Sequence, residues 1–321
     1  MRQKALWCLL FAVSMCTGGM YGPLVRLSHT DGRIGYDTTQ VVFLNELVKF
    51  TISLVLLAKT SSISGFSLQE CLPYSIPGFC YFINNNLSFY ILTELDPATF
   101  SVLSNIKIVT TTVLYVLVMR RYPNRLQLLA LVMLTAASVI HSYGTSFETI
   151  SATENSMHMK VSLYGILMLL FAVSNSSFAA IYTEFIVKKN FHVSLYKQNA
   201  YLYVTGMMFN CGPMIWRSAA APELSNNFIT FTGFNLYTWL IIGNTVLQGL
   251  SISVLMKYST NITRLVMNCS SLVISSSMSI VLFNFSVSVF FLISATLVVF
   301  ALVLYNLASR PAEVRPFKFI V

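Results

Sequence analysis

The sequence predicts an all-α polytopic membrane protein, with ten transmembrane helices arranged as two inverted five-helix halves. Composition, the length of the apolar runs and the distribution of charge carry that expectation. Hydrophobic residues make up 55% of the 321 and charged residues 10%, whereas a soluble domain carries about 25% charged. A mean hydropathy of +0.70 agrees. These values exclude an ordinary cytosolic enzyme, a disordered regulator and a secreted disulfide scaffold.

A helix needs about 20 mainly apolar residues to cross the hydrocarbon core. Such runs are expected near 5–27, 38–58, 72–93, 97–119, 126–144, 161–185, 196–216, 234–256, 262–283 and 287–308. The first is too long, and too rich in Gly and Pro at its far end, to be a cleaved signal peptide. Its Gly18-x-x-x-Gly22 reads as a close-packing surface. The second holds Glu46 and Lys49 three residues apart, close enough to form a structural ion pair along one helix face. In the third, Tyr81 precedes Asn84, Asn85 and Asn86, amides that need a wet cavity or neighbouring helices. The fourth places Lys107 about ten residues from either end, at ~1.5 Å per residue too deep to snorkel comfortably.

The fifth run ends at a polar connection, 145–160, which divides the chain into half-repeats of about 1–144 and 161–308. The sixth opens the second half. The seventh carries Asn199, Tyr201, Tyr203 and Thr205, and the eighth ends with Gln248, Ser251 and Ser253. The ninth has Arg264 just inside its cytoplasmic end, followed by Ser270, Ser271, Ser275 and Ser279 as a further close-packing surface. The tenth leads into a tail, 309–321. Short loops make this a single transmembrane domain.

The net charge of +9 invites a nucleic-acid reading, but its distribution argues for a lipid bilayer. With the N-terminus in the cytosol, one side collects thirteen basic residues: Arg2, Lys4, Lys59, Arg120, Arg121, Arg125, Lys188, Lys189, Lys197, Lys257, Arg310, Arg315 and Lys318. The other side holds four, Arg26, Arg33, Lys160 and Arg217, among acidic residues such as Asp31, Glu148 and Glu154. Lys and Arg stay cytoplasmic. An even number of spans then returns the C-terminus to the cytosol, and no nucleic acid is expected as a partner.

Five spans per half is an odd number, so two such halves would insert in opposite orientations. That is the geometry of inverted-repeat transporters, whose site lies at the repeat interface near mid-bilayer. Lys107 and Arg264 fall on the fourth and ninth spans, the corresponding helices of the two halves. Charge inside a span costs about 2.5–3.5 kcal/mol on insertion scales, so two such cations are best explained by an anion pathway. A phosphate or diphosphate would arrive with a substrate and leave again. The blander alternatives stay open: Lys107 paired with Glu46 or with helix-terminal carbonyls, Arg264 reaching the headgroups, and polar groups bonding helix to helix at about 0.6 kcal/mol.

No catalytic or cofactor motif is present: no H-E-x-x-H, G-x-S-x-G, Walker A or G-x-G-x-x-G. The histidines are scattered, and the six cysteines form no C-x-x-C pair. The expectation is a protein without catalytic residues, metal or cofactor.

Several stretches are familiar: Asn45-Glu46-Leu47-Val48-Lys49, the run Tyr81–Asn86, Leu95-Asp96 leading to Asn105-Ile106-Lys107, Tyr182-Thr183-Glu184, and Lys257-Tyr258 leading to Asn261-Ile262-Thr263-Arg264. Together they resemble the CMP-sialic acid/UDP-galactose subfamily of nucleotide-sugar transporters over essentially the whole chain. The resemblance implies a drug/metabolite-transporter fold, Golgi residence, and exchange of a cytosolic nucleotide sugar for lumenal nucleoside monophosphate. It implies that Lys107 contacts phosphate and that Arg264 stands where relatives use a lysine. Asn85, Asn86, Tyr203, Thr205 and Ser253 match further substrate-contacting positions, with Tyr81 and Asn199 as polar neighbours. Phe100 stands where the sialic acid transporters have a tyrosine, and Ile252 replaces a polar residue, which leaves base and sugar open. The expected activity is antiport of a pyrimidine nucleotide-sugar. The expected partners include a second copy or other nucleotide-sugar transporters. The alternative is a non-transporting Golgi membrane scaffold that keeps the fold.

Overall fold

Hydrocarbon offers no water to backbone N–H and C=O groups, so each apolar run must satisfy them internally as helix. The computed structural model describes residues 2–29, 34–60, 66–95, 97–120, 122–152, 162–220, 231–283 and 289–308. Among the described residues there are eleven helices. They are α1 (Arg2–Leu27), α2 (Thr38–Thr60), α3 (Leu68–Glu94), α4 (Pro97–Ser104), α5 (Ile106–Met119), α6 (Arg125–Ala152), α7 (Leu163–Lys189), α8 (Leu195–Ala220), α9 (Leu236–Tyr258), α10 (Asn261–Phe283) and α11 (Val289–Ala308). Among the described residues six stretches are each long and apolar enough to cross a membrane: Thr38–Thr60, Val102–Met119, Arg125–Gly144, Leu163–Lys189, Leu236–Tyr258 and Asn261–Leu282. The chain is a polytopic, all-helical membrane protein.

The helices pack in a closed order. Following the contacts, α10 lies on α1, α1 on α9, α9 on α2, α2 on α8, α8 on α3 and α3 on α7. From there α7 lies on α5, α4 and α5 on α6, α6 on α11, and α11 returns to α10. A further contact joins α5 directly to α10. The largest apolar cluster fills the α5–α6–α10–α11 side, where Ala130, Ala137 and Ala301 are fully buried. These small side chains let α6 and α11 approach closely.

Two expectations are corrected. The run 97–119 is not one helix but two, interrupted at Asn105. There the Asn105 N–H bonds to Val102 O at 3.2 Å and the Ile108 N–H to Asn105 O at 3.0 Å, both i to i+3 contacts. The Asn105 amide is drawn out of the helix toward α6, donating to Ser142 Oγ at 3.0 Å and to Ser138 O at 3.4 Å. An Asn side chain that competes for backbone partners destabilises a helix interior. The connection 145–160 is also shorter than expected, because α6 continues to Ala152; residues 153–161 and the tail 309–321 lie outside the described residues.

The glycines of α1 meet α10. A Cβ on Gly19 would stand 2.6 Å from Ile274 Cγ2 and 2.9 Å from Ser271 O, whereas one on Gly22 would meet only Ser275 Oγ at 3.4 Å. The Asn244 amide adds a bond from α9 to Thr17 O at 2.8 Å. Gly19→Ala should therefore destabilise the protein by about 1–3 kcal/mol, the range for overpacking, while Gly22→Ala should change little. Thermal unfolding in detergent measures the difference, and equal melting temperatures would contradict this packing.

Candidate functional site

The interruption at Asn105 makes Lys107 the second residue of α5. On this helix Ile108, Thr111 and Tyr115 form the buried face, and the Thr111 hydroxyl donates to Ser177 Oγ of α7 at 2.9 Å. Lys107 lies off that face and is exposed, although it sits deep within the apolar run. Arg264 lies in the first turn of α10, half-buried, with Nη1 4.0 Å from Met256 Sδ. The two cations stand in the first turns of α5 and α10, helices that touch one another. Among the described residues no carboxylate comes within ion-pair distance of either. Two like charges in a low-dielectric setting call for an anion or water between them. The start of α5 adds the positive end of a helix dipole beside Lys107.

A second polar cluster joins α2, α8 and α9. Lys49 Nζ lies 2.5 Å from Glu46 Oε1 and 4.6 Å from the centre of the Tyr203 ring. The Tyr203 hydroxyl and Ser253 Oγ are 3.1 Å apart. Ser253 spends its own proton on Gly249 O at 3.0 Å, so Tyr203 is the donor between them. This approach needs small residues: a Cβ on Gly249 would be 3.0 Å from Lys49 Cδ, and one on Gly206 would be 3.3 Å from Glu46 Oε2. The ion pair, read from sequence as separate from the site, thus lies against one of its candidate residues, Tyr203, which in turn bonds to a second, Ser253.

The remaining candidates are dispersed. Asn85 and Asn86 lie on α3, but their side chains fall outside the described residues. Their neighbour Asn84 accepts from the Asn175 amide at 3.3 Å, and that amide also donates to Cys80 O at 2.8 Å. Tyr81 is half-buried on the same helix, and Asn199 is buried near the start of α8. Thr205 points away from Tyr203, since residues two apart on a helix diverge by about 200°. Its hydroxyl bonds to Tyr74 O at 3.2 Å and so serves the contact between α3 and α8. Phe100 packs with Ile91, Leu95, Leu169 and Val173 in an apolar cluster between α3, α4 and α7.

The sequence reading assigned no role to Glu184 and treated Lys188 only as a cytoplasmic charge. Glu184 is completely buried. It pairs with Lys188 and accepts the Asn261 N–H at 2.7 Å, while Lys188 also donates to Ser259 O. The Glu-x-x-x-Lys spacing was the available signal. Nearby, Glu70 meets Lys197 at 2.7 Å and accepts from the Tyr201 hydroxyl at 2.9 Å. Those two donors hold its carboxyl below the usual range. A cavity of about 370 Å³ opens here among Glu70, Tyr74, Tyr182, Lys189, His192 and Tyr201. None of the described residues that line it is an expected site residue.

Removing one member of a buried ion pair strands the other, at about 3–5 kcal/mol. Lys49→Met should accordingly lower stability strongly, and adding Glu46→Gln should restore most of the loss. A double-mutant cycle on unfolding in detergent reads the coupling; additive losses would mean that the pair is not a unit.

Comparison with known proteins bears on the family and the fold. The profile of the nucleotide-sugar transporter family matches residues 4–306. The probable UDP-sugar transporter protein SLC35A4 of Xenopus tropicalis is 35% identical over 306 residues, covering 94% of this chain and 92% of that protein. CMP-sialic acid transporter 1 of Oryza sativa subsp. japonica is 32% identical over 288 residues, covering 87% of each. A crystal structure superposes with a TM-score of 0.66 over 95% of this chain and 98% of its own, at 11% identity, and speaks for the fold alone. The profile and the relatives describe membrane carriers rather than enzymes, and the chain belongs to the nucleotide-sugar transporter family.

Proposed function

We propose that the protein is a secondary antiporter, moving a pyrimidine nucleotide-sugar from cytosol to Golgi lumen in exchange for nucleoside monophosphate. The observation that carries this reading is the pair of cations, Lys107 and Arg264, sharing one field without a carboxylate among the described residues. Both exchanged molecules contain phosphate, so each can neutralise the pair in turn. Tyr203 and Ser253, with Asn85, Asn86, Tyr81 and Asn199, supply hydrogen-bonding groups for base and sugar.

The packing order supports ten spans in inverted halves, with α4 and α5 together forming the fourth. Counting spans this way, a shift of five maps each of the strongest pairings onto another or onto itself. The α1 contacts with α9 and α10 correspond to the α7 contacts with α3 and α5. The α2–α9 contact corresponds to α8–α3, and the α2–α8 and α6–α11 contacts map onto themselves. Two-fold related halves pack in this way, and the site then lies where they meet. Lys107 and Arg264 sit on related spans.

A second reading, a non-transporting Golgi membrane scaffold, draws support from Phe100, which sits in apolar packing and offers no hydroxyl. Transport separates the two. Proteoliposomes preloaded with UMP or CMP should take up labelled UDP- or CMP-sugar faster than empty ones, and Lys107→Ala should abolish the difference while remaining folded. Equal uptake by loaded and empty vesicles would sink the antiport, and no nucleotide-dependent rise in melting temperature would favour the scaffold.

The charge asymmetry adds an independent expectation about orientation. Tags at Met1 and Val321 should be reached by antibody after selective permeabilisation of the plasma membrane, while a tag at Glu154 in the lumenal connection stays protected. Staining at Glu154 under those conditions would reverse the topology.

A further inference from the structure

One helix grips both cation-bearing helices. On α7, Ser177 and Glu184 are both completely buried. They lie seven residues apart, about two turns or ~10.5 Å along the axis, and so share a face. Ser177 receives the Thr111 hydroxyl of α5 at 2.9 Å, one turn beyond Lys107. Glu184 receives the Asn261 N–H of α10 at 2.7 Å, three residues before Arg264. The Glu184 bond is charge-assisted and meets the positive end of the α10 dipole.

Lys188 completes the grip. It pairs with Glu184 and donates to Ser259 O, in the two-residue connection between α9 and α10. The carbonyl of Ser259 and the amide of Asn261 are thus both held from α7, which fixes where α10 starts and how it is rotated. A slip of one residue at that start would turn Arg264 by about 100° and move it ~1.5 Å along the axis.

We propose that Glu184 is a positioning residue for the anion site: through α7 it sets the separation and direction of Lys107 and Arg264. The proposal rests on the reading that these two cations bind substrate phosphate. A cap that only stabilised α10 would lower the melting temperature without changing the spacing of the cations. A ruler changes the spacing, and with it the affinity for the phosphate in particular.

Nitroxide amino acids at the exposed positions Val113 on α5 and Asn268 on α10 report that spacing by pulsed dipolar EPR without disturbing the native cysteines. Glu184→Ala should shift or broaden the distance distribution. Glu184→Gln keeps an oxygen to accept the Asn261 N–H and should keep the wild-type distance. In parallel, UMP or CMP, whichever raises the wild-type melting temperature, is titrated against its parent nucleoside. Glu184→Ala should weaken the monophosphate about tenfold, the scale of one hydrogen bond to a charged group, and leave the nucleoside unchanged; Glu184→Gln should bind both as wild type does. Should Glu184→Ala not fold, Glu184→Ala with Lys188→Met removes the stranded ammonium too and gives the same readings.

An unchanged distance in the alanine variant overturns the proposal, as does a glutamine variant that behaves like alanine. Lys107→Ala is the control for the underlying reading. If it abolishes monophosphate binding while Glu184→Ala alters the distance but not the affinity, the positioning role fails and the phosphate reading stands. If Lys107→Ala binds the monophosphate like wild type, the phosphate reading itself fails.

Discussion

Hydrocarbon supplies neither hydrogen-bond partners nor counter-ions, and almost every polar feature of this protein answers to that shortage. Glu46 has Lys49, Glu184 has Lys188 and a backbone amide, and Asn175 has a carbonyl and a second amide. Serine and threonine hydroxyls along the helices mostly return to carbonyls one turn back, as Thr17, Thr112 and Ser270 do. Some buried hydroxyls, such as those of Ser53 and Ser176, have no partner among the described residues, but Lys107 and Arg264 depart from the pattern as full charges. Among the described residues neither has a carboxylate within ion-pair distance, an arrangement that is costly in hydrocarbon. On the proposed reading a mobile anion would resolve that cost, and unlike a fixed side chain it would leave the site free to be emptied.

The same shortage explains why the fold is held by close backbone approach. With lipid as apolar as leucine, helices associate through packing and interhelical hydrogen bonds rather than through the hydrophobic effect. Gly18 and Gly19 against Ser271 and Ile274, Gly249 against Lys49, and Gly165 against Leu95 are all positions where a methyl group would collide or crowd. At Gly249 and Gly206 this packing also has a chemical consequence, since it lets the Glu46–Lys49 pair lie against Tyr203. Close packing and the polar cluster are the same contacts there.

The interruption at Asn105 links the two themes. A continuous helix over 97–119 would place Lys107 in mid-helix, with its backbone amide bonded inside the helix. Breaking the helix two residues earlier sets Lys107 in a first turn, where the helix dipole reinforces its charge. The break is held by α6 through Ser138 and Ser142, so α6 shapes the surroundings of Lys107 from one side while α7 holds α5 from the other through Thr111.

What the sequence determined by itself was what depends on composition along the chain: membrane residence, the approximate place of the apolar runs, and the presence of two cations, Lys107 and Arg264, within them. These follow from local transfer free energies, which need no partner to be known. It also contained the Asn45–Lys49, Tyr81–Asn86 and Asn261–Arg264 stretches on which the family likeness rests. Direction and partnership were not legible. Tyr203 and Thr205 look equivalent in the sequence, yet one faces α2 and α9 and the other bonds to α3. Glu184 looks like the end of a span, yet it caps a helix 77 residues away. Phe100 stands at a candidate site position, and its partly buried ring packs against the Ile91–Leu169 cluster. Such outcomes were decided only by the tertiary structure, because which face a side chain presents, and which amide it meets, depends on helix rotation and on neighbours far along the chain.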